Sequence, residues 1–139
     1  MKACFDAFAL LSWFQREPGA VRVRDFLAEA EGSPENAVYM SVVNLGEVYY
    51  RVMRARGIER ADELWNEVGG GGVPITLLGA SQSRVRAAAA IKGRHLVSYA
   101  DGFAIATAKE LGVPLVTGDP EILAIRDALD ITLVELPHR

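Results

Sequence analysis

The chain has one cysteine, Cys4, and two histidines, His95 and His138, in 139 residues. A lone thiol closes no internal disulfide, and three Cys or His residues cannot supply a structural zinc site. Cys4 falls inside an apolar, strand-type run, where a free cysteine is an inert core residue. No apolar stretch reaches the ~18 residues that a membrane span requires. The opening Met1-Lys2-Ala3-Cys4-Phe5-Asp6 meets a charge too early for a secretory signal, and with so little cysteine this predicts a cytoplasmic protein. Repeats, low-complexity segments and linkers are also missing, so a single domain is expected over residues 1–139. The four-glycine run from Gly69 to Gly72 fits neither G-x-G-x-x-G nor G-x-x-x-x-G-K-[ST], and it precedes a strand, so it reads as a loop and not as a phosphate cradle.

Acidic residues are missing from Val68 to Ala100, a stretch that carries Arg84, Arg86, Lys92 and Arg94. The segment from Arg51 to Arg60 holds four arginines and one glutamate, whereas Asp101 to Glu135 holds seven acids against Lys109 and Arg126. A net charge of −3 thus conceals a separation of sign. Such a separation suits an acidic cation site flanked by arginines that grip phosphate, with Arg84, Arg86, Lys92 and Arg94 as candidates. The plainer reading of the same residues is a set of solvated helix faces.

What is present is an alternation of strands and helices. Strands are expected at Lys2–Phe5, Ala37–Met40, Val73–Leu78, Val113–Thr117 and Ile131–Leu136. Helices are expected at Ala7–Arg16, Ala20–Glu31, Val42–Ala55, Ile58–Val68, Gln82–Lys92, Ser98–Leu111 and Glu121–Leu129, with His95–Val97 a short apolar link. Several boundaries carry chemical markers: Ser41 and Ser98 as N-caps, Gly93 and Gly112 as stops, and Asp119-Pro120 as a helix start. The alternation predicts an α/β fold with a parallel sheet and helices on both faces.

Four acids then stand out: Asp6, Glu47, Asp101 and Asp119. In an open α/β sheet, ligand sites form outside the carboxyl ends of the strands. Asp6 and Asp119 follow strand-type runs, Asp101 opens a nearly all-apolar helix, and Glu47 lies one turn into a helix that follows a strand. Each has an ordinary role available. Asp6 and Asp119 can cap helices, Asp101 can close a capping box with Ser98, and Glu47 can pair with Arg51 at i,i+4. Considered jointly, carboxylates that converge at strand ends repel unless a cation lies between them, and a cap can also be a ligand.

Four stretches extend the pattern: Phe5-Asp6-Ala7 with Leu10-Leu11; Tyr39-Met40-Ser41-Val42-Val43-Asn44-Leu45-Gly46-Glu47-Val48-Tyr49-Tyr50; Val97-Ser98-Tyr99-Ala100-Asp101-Gly102-Phe103-Ala104; and Pro114-Leu115-Val116-Thr117-Gly118-Asp119-Pro120-Glu121. In these stretches, and in the order and spacing of the acids, the chain resembles the PIN-domain ribonucleases, specifically the VapC-type toxins of prokaryotic toxin–antitoxin pairs. The resemblance runs nearly end to end and is weakest from about Gly57 to Arg86. It implies a three-layer fold around a central parallel sheet of about five short strands. It also implies an endoribonuclease dependent on Mg²⁺, with Mn²⁺ as substitute, whose metal-binding and catalytic acids are Asp6, Glu47, Asp101 and Asp119. Thr117 matches the family's hydroxyl near the last acid. The implied partners are an RNA substrate, a small cognate antitoxin and a second copy of the chain. One position departs: two residues after the first Asp the family has Ser or Asn, and this chain has Phe8, which puts a supporting hydrogen bond to Asp6 in doubt.

On this reading Asp6 and Asp101 are the expected direct ligands, and Glu47 and Asp119 serve a second ion or act through water, since Mg²⁺ takes only one or two carboxylates directly. Phe8 keeps open a rival, a catalytically impaired PIN-fold module that binds RNA or protein without cutting. A phospho-acceptor signalling domain also uses carboxylates at strand ends, but it expects an acidic pair after the first strand and a lysine after the last, and this chain has neither. Tyr49, Tyr50 and Trp65 are expected either in the core or at an interface.

Overall fold

The computed structural model describes residues 1–138. Five strands form one sheet: β1 (Lys2–Phe5), β2 (Ala37–Ser41), β3 (Thr76–Leu78), β4 (Leu115–Thr117) and β5 (Leu133–Glu135). Their order is β3-β2-β1-β4-β5 and every pairing is parallel. The helices are α1 (Ala7–Phe14), α2 (Ala20–Gly32), α3 (Val42–Arg56), α4 (Ile58–Gly69), α5 (Gln82–Arg94), α6 (Tyr99–Leu111) and α7 (Pro120–Ala124). Alternate residues of the central strands feed two separate cores. Ala3, Phe5, Val38, Met40 and Val116 pack with residues of α1 to α4. Cys4 and Leu115 pack with Ile91, Ala104, Ile105, Ala108 and Ile122 from α5, α6 and α7. A parallel sheet buried on both faces needs apolar residues of both parities, which explains its unbroken apolar strands.

The expected elements are all found, with shifts at their ends. The strand expected from Val73 shortens to Thr76–Leu78, because Pro74 has no N–H for a ladder and Ile75 bonds back to the Val73 carbonyl. Gly93 does not stop α5, which runs to Arg94 and is closed by the His95 N–H on the Ile91 carbonyl. The helix expected over Glu121–Leu129 breaks into α7 and a single 3₁₀ turn at Arg126–Ala128. What matters for function is the sequence break between β1 and β4, the switch point at which open α/β sheets form clefts. Phe5 pairs with Val116, so Asp6 and Thr117 leave the sheet side by side although 111 residues separate them.

Candidate metal centre

Each acid lies at or near the start of a helix, which follows a strand for Asp6, Glu47 and Asp119 and follows α5 for Asp101. Asp6 caps α1, its Oδ1 accepting from the Ala9 N–H at 2.8 Å. Asp101 closes a capping box with Ser98: its N–H donates to Ser98 Oγ at 3.0 Å, and its Oδ2 accepts from the Ser98 N–H at 3.3 Å. Asp119 caps α7, with Pro120 at the first helical position and its Oδ1 accepting from the Glu121 N–H at 2.8 Å. Glu47 accepts from Arg51 Nε at 3.0 Å one turn along α3. The ordinary structural roles are therefore all filled, and the acids still converge.

Electrostatics records that convergence. Asp6 is 2% exposed, and its carboxyl is pushed up to about 8, mainly by burial, with further upward pressure from Asp119 and Asp101. Bonds from Thr117 and Ala9 pull the other way. Burial and then Asp119 push Asp101 up to about 6, against the hydrogen bonds to Ser98, and Glu47 adds to the upward push. Burial raises Glu47, Arg51 offsets part of the rise, and Asp119 adds to it. Carboxylate oxygens of Asp101, Asp119 and Glu121 lie within 4.8 Å of one another, a spacing that a single cation can bridge. Asp6 and Glu47 stand outside that set and act on it through charge. Among the described residues, the one ion pair made by any of these five acids is Glu47–Arg51.

Thr117 is fully buried and joins two of the acids: its hydroxyl donates to Asp6 Oδ2 and accepts the Asp119 N–H at 3.0 Å. Asp6 thus has a side-chain hydrogen bond without the Ser or Asn that Phe8 replaces. The Phe8 ring instead covers Gly118, where an added Cβ would lie 2.3 Å from a ring carbon. Asn44 does not reach Asp6. Its amide donates to the Ala100 carbonyl at 2.9 Å, tying α3 to the start of α6, and its buried Oδ1 has no partner among the described residues.

Glu121 was not among the acids singled out from the sequence. The signal for it was the spacing Asp119-Pro120-Glu121, because two acids at the cap and in the first turn of one helix converge on its positive end. The basic residues of α5 lie elsewhere. Arg84 donates to both oxygens of Glu110 and to the Gly79 carbonyl, and Lys92 donates to the Val97 carbonyl. Arg84 and Arg94 line a cavity on the outer face of α5 and α6, and Arg86 is exposed. The cavity beside the acids has a volume of about 290 Å³ and is lined instead by Phe8, Leu11, Glu47, Arg51 and Asp119, among others.

The PIN domain family profile matches residues 3–128. Comparison with curated protein sequences gives no match. Among solved structures, the chain is similar to VapC20 of Mycobacterium tuberculosis, described as a sarcin-ricin loop cleaving toxin, at 16% identity and TM-score 0.71 over 88% of this chain and 93% of that one. It is similar to a chain of the DNA-bound VapBC of Salmonella typhimurium at 15% identity and TM-score 0.70, covering 97% and 98%. VapBC2 of Rickettsia felis, bound to a promoter DNA fragment, gives 12% identity and TM-score 0.68, covering 99% and 100%. At these identities the shared property is the fold.

Proposed function

This chain belongs to the PIN domain family, and from that membership we propose that it is a Mg²⁺- or Mn²⁺-dependent endoribonuclease, the toxin of a toxin–antitoxin pair. The observation that carries the reading is the set of buried, mutually repelling carboxylates at the β1/β4 switch point, with Arg51 on Glu47 as their single paired cation. A donor set made wholly of carboxylate oxygens fits a hard divalent ion. Asp101, Asp119 and Glu121 would hold it, with Asp6 and Glu47 reaching it through water. Such an ion supplies positive charge for the phosphoryl oxygens and lowers the pKa of water.

The chain's own residues do the rest. Thr117 fixes the Asp6 carboxylate and the Asp119 backbone relative to each other. The capping box holds Asp101 in one orientation, and Arg51 offsets part of the rise that burial imposes on Glu47. Phe8 and Leu11 give the adjoining cavity part of its apolar wall. The bonding of Thr117 to Asp6 supports an active enzyme over an impaired binding module. The likeness to VapBC assemblies supports a small antitoxin partner and a homodimer.

Purified protein is expected to cut RNA with Mg²⁺ or Mn²⁺ and to stop on addition of EDTA. Asp101→Asn is expected to lower cutting by at least ~100-fold. Full cleavage by that variant, or by protein in EDTA, would sink the proposal.

A further inference from the structure

The cavity beside the acids opens into a second one. The inner cavity includes Glu47 and Asp119, the outer includes Tyr50 and Arg54, and the two share Leu11, Gln15 and Arg51. Together they form a groove between α1 and α3. Phe8 and Leu11 on α1 and Gln15 at its C-cap recur at helical spacing, and Glu47, Arg51 and Arg54 do so on α3. At 1.5 Å of rise per residue, Glu47 to Arg54 spans roughly 10 Å. The sign of charge reverses along that length. The inner end is acidic, while the outer cavity is lined by two arginines and no acid. Arg54 stacks on the Tyr50 ring, its guanidinium carbon 4.9 Å from the ring centre, and Tyr50 is 43% exposed. A planar cation on an exposed ring is the type of platform on which single-stranded bases stack.

We propose that this α1–α3 groove carries the single-stranded RNA segment flanking the scissile phosphate, with Arg54 gripping a phosphate and the Tyr50–Arg54 pair stacking a base. The proposal rests on the nuclease reading above and moves the phosphate grip away from α5. Three observations favour RNA as the occupant. The groove is continuous with the acidic centre, its charge complements a polyanion, and Arg84 and Lys92 on α5 are committed to Glu110 and to backbone carbonyls.

The test is binding of a short, unstructured, fluorescently labelled RNA to the Asp101→Asn protein, measured across a salt series, with cleavage assayed in the wild-type background. Arg54→Ala is expected to weaken binding and to reduce the slope of log Kd against log salt by ~0.7, the value for one phosphate contact on a single strand. Tyr50→Ala is expected to weaken binding about fivefold or more with the salt slope unchanged, and Tyr50→Phe to restore it. Normal RNA binding by both alanine variants, or a larger loss from Arg86→Ala, overturns the groove assignment and leaves the nuclease reading standing. Variants that lose a co-expressed protein partner while keeping RNA affinity assign the groove to that partner and also overturn it. A wild-type chain that neither cuts nor binds RNA under any divalent metal overturns the nuclease reading itself.

Discussion

Asp6 concentrates the electrostatic cost of the site. Its folded carboxyl titrates near 8, whereas an unfolded one titrates near the usual ~4, so between those values the folded chain holds a proton that the unfolded chain has lost. Metal-free protein is therefore expected to lose stability as pH rises from about 4 to 8, with Asp101 contributing up to about 6. Thermal melts should show Tm falling across that window, Mg²⁺ or Mn²⁺ raising it more at pH 8 than at pH 6, and Asp6→Asn removing most of the decline above pH 6. A metal-free Tm that rises toward pH 8 would contradict this account. Thr117→Val leaves an oxygen of the buried Asp6 without its donor and should cost about 1–3 kcal/mol. It should also lower metal affinity by about 10- to 100-fold, and Thr117→Ser should recover both. Urea titration and metal-dependent Tm shifts measure the two effects.

At the scale of elements, two glycines set how closely the site's helices and turns approach. An added Cβ at Gly102 would lie 2.7 Å from the Ala88 carbonyl, so α6 sits directly against the backbone of α5 one residue after Asp101. Gly102→Ala should cost about 1–3 kcal/mol and move Asp101 with its helix. Gly118→Ala should be harmful because of the Phe8 ring and nearly neutral in a Phe8→Ala background, with a coupling of ~1 kcal/mol or more in the double-mutant cycle. Additivity of the two changes would show that the ring yields freely. The elements themselves were legible from apolar periodicity and from their caps, because Asp6, Ser41, Ser98 and Asp119 all cap the helices expected of them. Their ends were less legible, as at Thr76 and in the break after α7, because ladder partners and packing decide where an element stops. Glu121 was hidden for a related reason: its proximity to Asp101 depends on how α7 docks beside α6, which sequence spacing does not encode. Likewise, the basic stretch around α5 was visible as composition, but its engagement by Glu110 and by carbonyls exists only in three dimensions.

At the scale of the molecule, the sheet is covered on both faces, and no helix among the described residues is long and apolar enough to cross a membrane. The α3–α4 hairpin carries aromatic side chains at its surface. There Tyr49 donates to Asp62 and meets Trp65 edge-on, with ring centres 5.6 Å apart, while Tyr50 and Trp65 stay partly exposed. Tyr49 thus belongs to the packing between these helices. Co-expression with the product of an adjacent short reading frame is expected to yield a larger species on gel filtration with RNA cutting suppressed, and unchanged elution with full cutting would count against an antitoxin.

The pairing of Phe5 with Val116 has a further consequence for synthesis. The strand that precedes Asp6 is made first among the five, yet the hydroxyl that holds Asp6 arrives 111 residues later. A nascent chain halted before β4 has made Asp6, Glu47 and Asp101 but has no Thr117 or Asp119 to complete the centre. The acidic centre is therefore complete only once β4 and the start of α7 have been made, whatever part of the sheet has formed before them.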